Sequence, residues 1–306
     1  MIETKGLHSD IGIVAYDPNP EILVDLVKHA SAEARKVWVF QNSKLSPELK
    51  VRLRAACISE IEFLNDGTNV GLGIAYNTMA TAALLNKADA LLLFDQDSSP
   101  PTGMLTRLGA DMQELIRQGK KPALVGPLPV SVDDNMFKPP RRYNLAGGIV
   151  NGTLLPAEFA ISSGSLVNLH AFAKLGVFRE DFFIDAIDIE WCFRAWHKGY
   201  SCWMDKHAVM PHRLGQGIIR IPVVGMLLAR QNPARLYTYV RNQVAMIRED
   251  VAPLRWKVKL LPYLALQGLV YLLAYRGERM RVMKAFCWGF SDGLANRMGP
   301  GRRSAV

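Results

Sequence analysis

The sequence predicts an α/β fold, with a mostly parallel central sheet covered by helices on both faces and a basic, apolar, helical C-terminal tail. Two observations carry this. Short apolar runs of strand length alternate with stretches of helical spacing through the front of the chain, each run closing in turn residues. Charge is also divided: from Arg213 onward 16 Lys or Arg stand against 4 Asp or Glu, whereas residues 1–212 carry 21 against 24. We therefore read 1–212 as the sheet-containing domain and 213–306 as a helical, basic, membrane-associating region. With 306 residues, 49% hydrophobic and 21% charged, the chain can bury a substantial core, and its composition is not that of a disordered protein.

The elements follow in order. Ile11–Tyr16 is a strand stopped by Asp17-Pro18-Asn19-Pro20, and Glu21–Ala30 has helical spacing at Ile22, Leu23, Leu26 and Val27. Lys36–Phe40 is a second strand, Pro47–Ala56 a second helix and Ile61–Leu64 a third strand. A turn rich in Asn and Gly leads to a helix over Ile74–Leu85, then to the strand Leu91–Phe94. This β-α-β-α-β-α-β order is the signature of a parallel sheet. Further on, Gly103–Arg117 reads as helix, Ala123–Pro127 as strand, Asp133–Asn144 as a loop, and Ile149–Val167 as strand broken by turns around Ser162–Ser165. A short helix over Phe172–Leu175, a longer one over Ile187–His197 and a strand over Tyr200–Met204 complete the front part. There is no internal repeat.

The chemistry concentrates at Phe94-Asp95-Gln96-Asp97-Ser98. Alternate residues of a strand share a face, so Asp95 and Asp97 can present both carboxylates to one side where the chain leaves the sheet. Hard oxygen ligands in that number suit Mg²⁺ or Mn²⁺, and the carboxyl ends of the strands are where open α/β sheets bind ligands. The competing reading is a polar strand end that opens the turn Ser98-Ser99-Pro100-Pro101.

A second acidic cluster, Asp185, Asp188 and Glu190, precedes Trp191 and Arg194. Asp185 is a credible helix cap, and one of the three carboxylates, Asp185, Asp188 or Glu190, beside an acceptor hydroxyl is a candidate general base. His212 is a candidate further ligand for a divalent metal. The turn Asn69-Val70-Gly71-Leu72-Gly73 lacks the third glycine of a dinucleotide fingerprint, since Tyr76 stands there, but its backbone N–H groups suit a nucleotide diphosphate. No P-loop, nucleophile elbow or H-E-x-x-H is present.

The tail has Leu260–Tyr275, uncharged over 16 residues and flanked by Arg255, Lys257, Lys259, Arg276, Arg279 and Arg281. A helix of that length falls short of the ~30 Å hydrocarbon core, so an interfacial segment on an anionic membrane is expected rather than a span, and nucleic acid is not the expected partner. Four cysteines without C-x-x-C spacing, and no secretory signal, point to a cytoplasmic protein peripheral on the inner membrane face.

Taken in order, these pieces resemble the family 2 glycosyltransferases of GT-A fold, and more narrowly the bacterial rhamnosyltransferases and their galactofuranosyltransferase relatives. The resemblance rests on Ala15-Tyr16, Asn42-Ser43, Asn69-x-Gly71 with Asn77, Phe94-Asp95-Gln96-Asp97, Ser163-Gly164, Asp188-x-Glu190-Trp191 with Arg194, and His212. It implies that Asp95, Asp97 and His212 hold Mg²⁺ or Mn²⁺, Asp97 directly and Asp95 nearer the ribose or a bound water. Asp188 is then the base for an inverting transfer. The donor lies among Ala15, Tyr16, Asn42, Asn69, Gly71, Asn77, Asp95 and Gln96, and the acceptor among Ser163, Gly164, Glu190 and Trp191. The Phe-Asp-Gln-Asp form favours dTDP-L-rhamnose as donor and a lipid-linked saccharide, as in O-antigen-like polysaccharide assembly, as acceptor. The chain departs from the pattern at Gln41-Asn42, where relatives commonly carry Asp near the base, so the base must be read by an amide or backbone contact. UDP-galactofuranose as donor, a nucleotidyltransferase, or a catalytically silent membrane-surface scaffold are the rival readings; oligomeric state is left open.

Overall fold

The computed structural model describes residues 7–131, 148–212, 218–221 and 226–301. The first four strands are β1 (Ser9–Ala15), β2 (Lys36–Gln41), β3 (Glu60–Leu64) and β4 (Ala90–Asp95), separated by α1 (Pro20–Ser31), α2 (Pro47–Ala56) and α3 (Leu72–Leu85). α4 (Met104–Arg117), β5 (Pro122–Ser131), β6 (Leu154–Pro156), β7 (Leu166–Asn168), α5 (Leu169–Leu175), α6 (Ile187–His197) and β8 (Ser201–His212) follow. The C-terminal part holds the hairpin of β9 (Ile218–Ile221) and β10 (Met226–Ala229), then α7 (Pro233–Ala245), α8 (Leu254–Ala274) and α9 (Arg279–Leu294).

One eight-stranded sheet has the order β3-β2-β1-β4-β7-β5-β8-β6. β1 to β4 are parallel, β7 runs antiparallel between β4 and β5, and β6 is antiparallel at the edge. Strand order therefore reverses between β1 and β4, and the crevice beyond their carboxyl ends is the switch point at which open α/β sheets take ligands. Tyr16 and Asp95 to Asp97 stand there. Both sheet faces are apolar, as a sheet covered on both sides requires: Ile11, Ile13, Leu92 and Phe94 pack on one side, Val14, Leu91 and Leu93 on the other.

Local chemistry sets the element ends. The Asn19 side chain accepts from the Glu21 and Ile22 N–H groups and Pro20 opens α1; Ser46 accepts from Leu49 N–H and Pro47 opens α2. β8 extends well past the expected Tyr200–Met204. Its polar stretch Asp205-Lys206-His207 coincides with a register shift against β5, where Pro127 opposes Asp205 but Leu128 opposes Val209. A bulge absorbs the residues that read as a strand end. The broken stretch Ile149–Val167 resolves into β6 and β7; the expected loop Asp133–Asn144 lies outside the described residues.

α7 and α9 approach closely because α9 offers Gly289 and Gly293. A Cβ at either would come within 2.7 Å of Tyr237 O or 2.5 Å of Arg241 O. Tyr237 Oη donates to the buried Asp292 carboxylate at 2.8 Å across the same contact. α8 is longer than the 16 uncharged residues suggested, 21 residues continuing through Pro262, which lies on its exposed side.

Under β8, the fully buried Asp205 pairs with Arg107, and Asp111 stands beside both. Burial, then the Asp205 charge, pushes the Asp111 carboxyl up from 3.8 to about 7. The native state thus holds a proton between those pH values that the unfolded chain has released, so this group's contribution to stability declines as pH rises through that window. Asp111→Asn should therefore raise stability relative to the parent more at pH 8 than at pH 5, read from urea unfolding midpoints at the two pH values.

Candidate active site

At the switch point, Gln96 forms a two-way amide pairing with the backbone of Tyr16: Tyr16 N–H donates to Oε1, and Nε2 donates to Tyr16 O at 2.8 Å. This ties the ends of β1 and β4 together and leaves the Tyr16 ring half exposed. Asp95 follows the last buried residue of β4, and its N–H donates to Ser163 Oγ at 3.2 Å. Asp97 is solvent-exposed one turn further. Burial, then the neighbouring Asp97 charge, raises the Asp95 carboxyl to about 6, with Arg235 pulling it down and Asp188 pushing it up.

Four elements besides β4 converge on this point. Tyr76 of α3 crosses beneath it and its Oη lies 2.9 Å from Ser162 Oγ. Ser162 N–H donates to Asp188 Oδ2 at 3.1 Å, and Ile189 N–H donates to Asp188 Oδ1 at 2.9 Å, so the carboxylate is aimed by two backbone donors at the start of α6. Burial nevertheless outweighs those two donors and raises its proton affinity above the ordinary carboxylate range. Arg235, in the first turn of α7, reaches back to Asp185 with contacts of 3.0 and 3.2 Å and is close enough to Asp95 and Tyr76 to interact with both electrostatically. Asp95, Asp185 and Asp188 thus come together with one guanidinium, that of Arg235, among the described residues.

The segment that carries Asp185 is backbone-strained. Phe183, Asp185 and Ala186 all have φ between +61° and +67°, a conformation that costs about 1–3 kcal/mol at each non-glycine residue. It is held by α7: the fully buried Asn242 side-chain amide lies within 2.7–2.9 Å of the Phe182, Ile184 and Asp185 carbonyls, and Arg241 donates to Phe182 O at 3.0 Å. From the other side, Leu72 N–H donates to Phe183 O at 2.6 Å. Gly71 and Gly73 are needed for that approach, since a Cβ would lie 2.6 Å from Phe183 O and 2.4 Å from Arg179 O respectively.

The other expected site residues make contacts within the protein. Gly71 packs against Phe183, and Asn69 Oδ1 accepts from Gly71 N–H to shape the same turn. Asn42 is buried and spends its side chain on Val70 N–H and Gly71 O, while Asn77 is bonded to Phe178 and Glu180, so both brace the turn and α3. Ala15 is fully buried, and its carbonyl accepts from Asn42 N–H. Gln41 is buried with Nε2 on the Leu64 and Asn65 carbonyls, and its Oε1 has no hydrogen-bond partner among the described residues. Glu190 is buried in a two-point pair with Arg194, and Trp191 stacks on Phe178 at 4.9 Å while donating to Gly176 O. Both hold α6 to the end of α5. Ser163 is buried under Asp95 and Ser98, and a Cβ on Gly164 would meet Met210 and Pro127; this pair supports the strand end. Asp185 does not cap α6, whose cap position is Ala186.

Among the described residues no three His, Cys, Asp or Glu side chains gather in metal-binding geometry. His212 ends β8 opposite Ser131, and its side chain lies outside the described residues. The donor set still fits a hard divalent cation: two carboxylates at one strand end, one of them raised in proton affinity by the other. Tyr76, Ser162, Arg235 and Asn242 escaped the sequence reading. Tyr76 was visible only as a missing glycine, and Arg235 only as one charge of a basic tail.

The architecture matches solved glycosyltransferases. GalNAc-T7 bound to UDP, GalNAc and Mn²⁺ superposes with a TM-score of 0.58 at 13% identity, over 96% of this chain and 57% of that one. S. aureus TarS 1–349 gives 0.54 at 14% identity, over 95% and 82%, and its complex with UDP-GlcNAc gives 0.52. No family model matches the sequence. The chain is a glycosyltransferase of GT-A fold. More narrowly, it is similar to the dTDP-rhamnosyl transferase RfbF of Shigella flexneri, 25% identical over 299 residues that span 96% of this chain and 97% of that one.

Replacing Asn242 with Ala leaves the Ile184 and Asp185 carbonyls without their donor, while Phe182 O keeps Arg241, a loss of about 1–3 kcal/mol. A lowered thermal midpoint together with reduced donor turnover is expected, and turnover should fall further than that of Asn77→Ala at equal loss of stability, because only the first releases the loop before Asp188.

Proposed function

We propose that the chain is a metal-dependent, inverting transferase that moves L-rhamnose from dTDP-L-rhamnose to a lipid-linked saccharide during cell-surface polysaccharide assembly. The carrying observation is the aimed carboxylate of Asp188, held by Ser162 N–H and Ile189 N–H within electrostatic range of Asp95 at the switch point. Similarity to a dTDP-rhamnosyl transferase over nearly the whole of both chains supports the sugar and the base.

Asp188 accepts the proton of the acceptor hydroxyl as that oxygen attacks the anomeric carbon from the face opposite the diphosphate. Its raised proton affinity strengthens it as a base, and ionisation is required first, so activity should rise with pH through a midpoint above the usual carboxylate range. Tyr76 and Ser162 keep the carboxylate in place. Arg235 supplies positive charge on the diphosphate side. Asp95, Asp97 and His212 are the residues that would hold Mg²⁺ or Mn²⁺, which when bound neutralises charge gathering on the leaving nucleoside diphosphate.

Asp188→Asn should lower kcat by about 10²–10⁴-fold with the thermal midpoint retained, as expected for loss of a general base. Release of nucleoside diphosphate measured across a panel of nucleotide sugars tests the donor; turnover with UDP-galactofuranose and none with dTDP-L-rhamnose would sink the rhamnosyl reading. Asp97→Ala and chelation by EDTA should each abolish turnover, with added Mg²⁺ or Mn²⁺ restoring only the chelated parent; undiminished turnover in EDTA would reject the metal.

A further inference from the structure

Helices α8 and α9 are each buried on one side only. α8 buries Leu260, Leu264, Gln267 and Tyr271, which join α7 and α9 in one apolar cluster with Leu236, Tyr237, Val240, Val282 and Ala285. Its opposite face carries Leu254, Val258, Leu261, Ala265, Leu269 and Leu273, spaced by four, three, four, four and four residues, so that they form a single stripe. Leu254, Val258 and Leu273 are 76%, 66% and 62% exposed. α9 repeats the pattern with Met280, Met283, Cys287, Phe290 and Leu294.

These two helices hold nine of the eighteen large apolar side chains that are exposed among the described residues. In a monomeric soluble protein such residues are scattered singly, and a contiguous patch marks a partner. Charge identifies which. Residues 254–294 carry seven Lys or Arg against two acids, and one of the acids, Asp292, is buried beneath Tyr237. Lys259, Arg276, Arg279, Arg281 and Lys284 stand exposed at the borders of the two stripes.

We infer that the α8–α9 face docks on an anionic lipid bilayer, both helices lying in the plane of the interface with their apolar stripes in the headgroup and acyl boundary. A second copy of the chain is the poorer occupant, because a two-fold contact through this face would set cations against cations. Spanning is also disfavoured. By length and composition α8 passes for a membrane span, but its inner face is packed on α7 and α9, and α9 brings Arg279, Arg281 and Lys284 with it. An apolar face with basic borders is the pattern of an interfacial helix. The face is also coupled to the active site: Arg255 at the start of α8 pairs with Glu158 at 2.9 Å, four residues before the Ser162 that aims Asp188. A lipid-carried acceptor would thus approach from the side that the bilayer occupies, a consequence that rests on the proposed acceptor, whereas docking itself does not.

The full chain should co-sediment with phosphatidylglycerol-containing vesicles and not with pure phosphatidylcholine vesicles, and the partition should weaken in high salt. The double variant Val258→Glu/Leu269→Glu should bind the anionic vesicles at least ~10-fold more weakly while keeping the parent's thermal midpoint and donor hydrolysis, since both positions face away from the core. An environment-sensitive fluorophore on Cys287, in a Cys57→Ser background, should shift to the blue with anionic vesicles, an independent readout should the double variant misfold. Undiminished vesicle binding by a folded variant, no shift at Cys287, or loss of a parent dimer in light scattering would each overturn the proposal. All three read association rather than transfer, so they succeed or fail independently of the donor assignment.

Discussion

The site depends on one polar clamp. Asn242 and Arg241, both fully buried in α7, take up the carbonyls of Phe182, Ile184 and Asp185, and that hold keeps a run of left-handed residues from relaxing. A buried carbonyl that loses its donor is more expensive than an average hydrogen bond is stabilising, so the clamp converts desolvation into positional precision. Everything downstream follows from where that run ends. It delivers Asp188 to the first turn of α6, next to Ser162 and across from Asp95, and it puts Asp185 within reach of Arg235. α7 is therefore part of the candidate site's architecture, because it holds the loop that carries Asp185.

The same loop explains the glycine-rich turn before α3. Gly71 and Gly73 admit the backbone of residues 179–183 at distances no side chain would allow, and Leu72 N–H closes the contact. A glycine pair that reads from sequence as a phosphate cradle is used here for backbone-to-backbone packing. Asn42, Asn69 and Asn77 surround that contact and belong to it. Residues that match a family pattern thus also have a positional role here: they fix the turn beside the crevice.

Elements with local causes were legible in the sequence. The parallel half of the sheet could be read because apolar runs alternate with helical spacing, and Asn19-Pro20 and Ser46-Pro47 mark two helix starts through caps that act within three residues. The Asp95 strand end was legible for the same reason. What escaped was set by contacts distant in sequence. Glu190 and Trp191 follow Asp188 on one helix, yet helix rotation turns them into the core, against Arg194 and Phe178. Arg235 lies 50 residues from the Asp185 it pairs with, and no pattern on α7 announces that contact. β8 was read too short because a bulge lets polar residues interrupt a strand without ending it.

The charge balance of the crevice ties these parts to the proposed chemistry. Asp95, Asp185 and Asp188 all have raised proton affinity because burial costs each ion its hydration; a neighbouring carboxylate adds to this at Asp95 and Asp188, whereas Arg235 opposes it at Asp185. Among the described residues one guanidinium faces three carboxylates, with Asp97 beside them. Bringing a diphosphate to this place would add negative charge to negative charge, and only added cationic charge makes the site hospitable to it. That imbalance favours a divalent ion on the Asp95 and Asp97 side, where the carboxylates are nearest solvent, and Arg235 on the other. It also explains why Arg235 is paired with Asp185 rather than free: an ion pair at the crevice wall keeps the guanidinium pointed inward, so that little reorganisation is required when a second anion arrives.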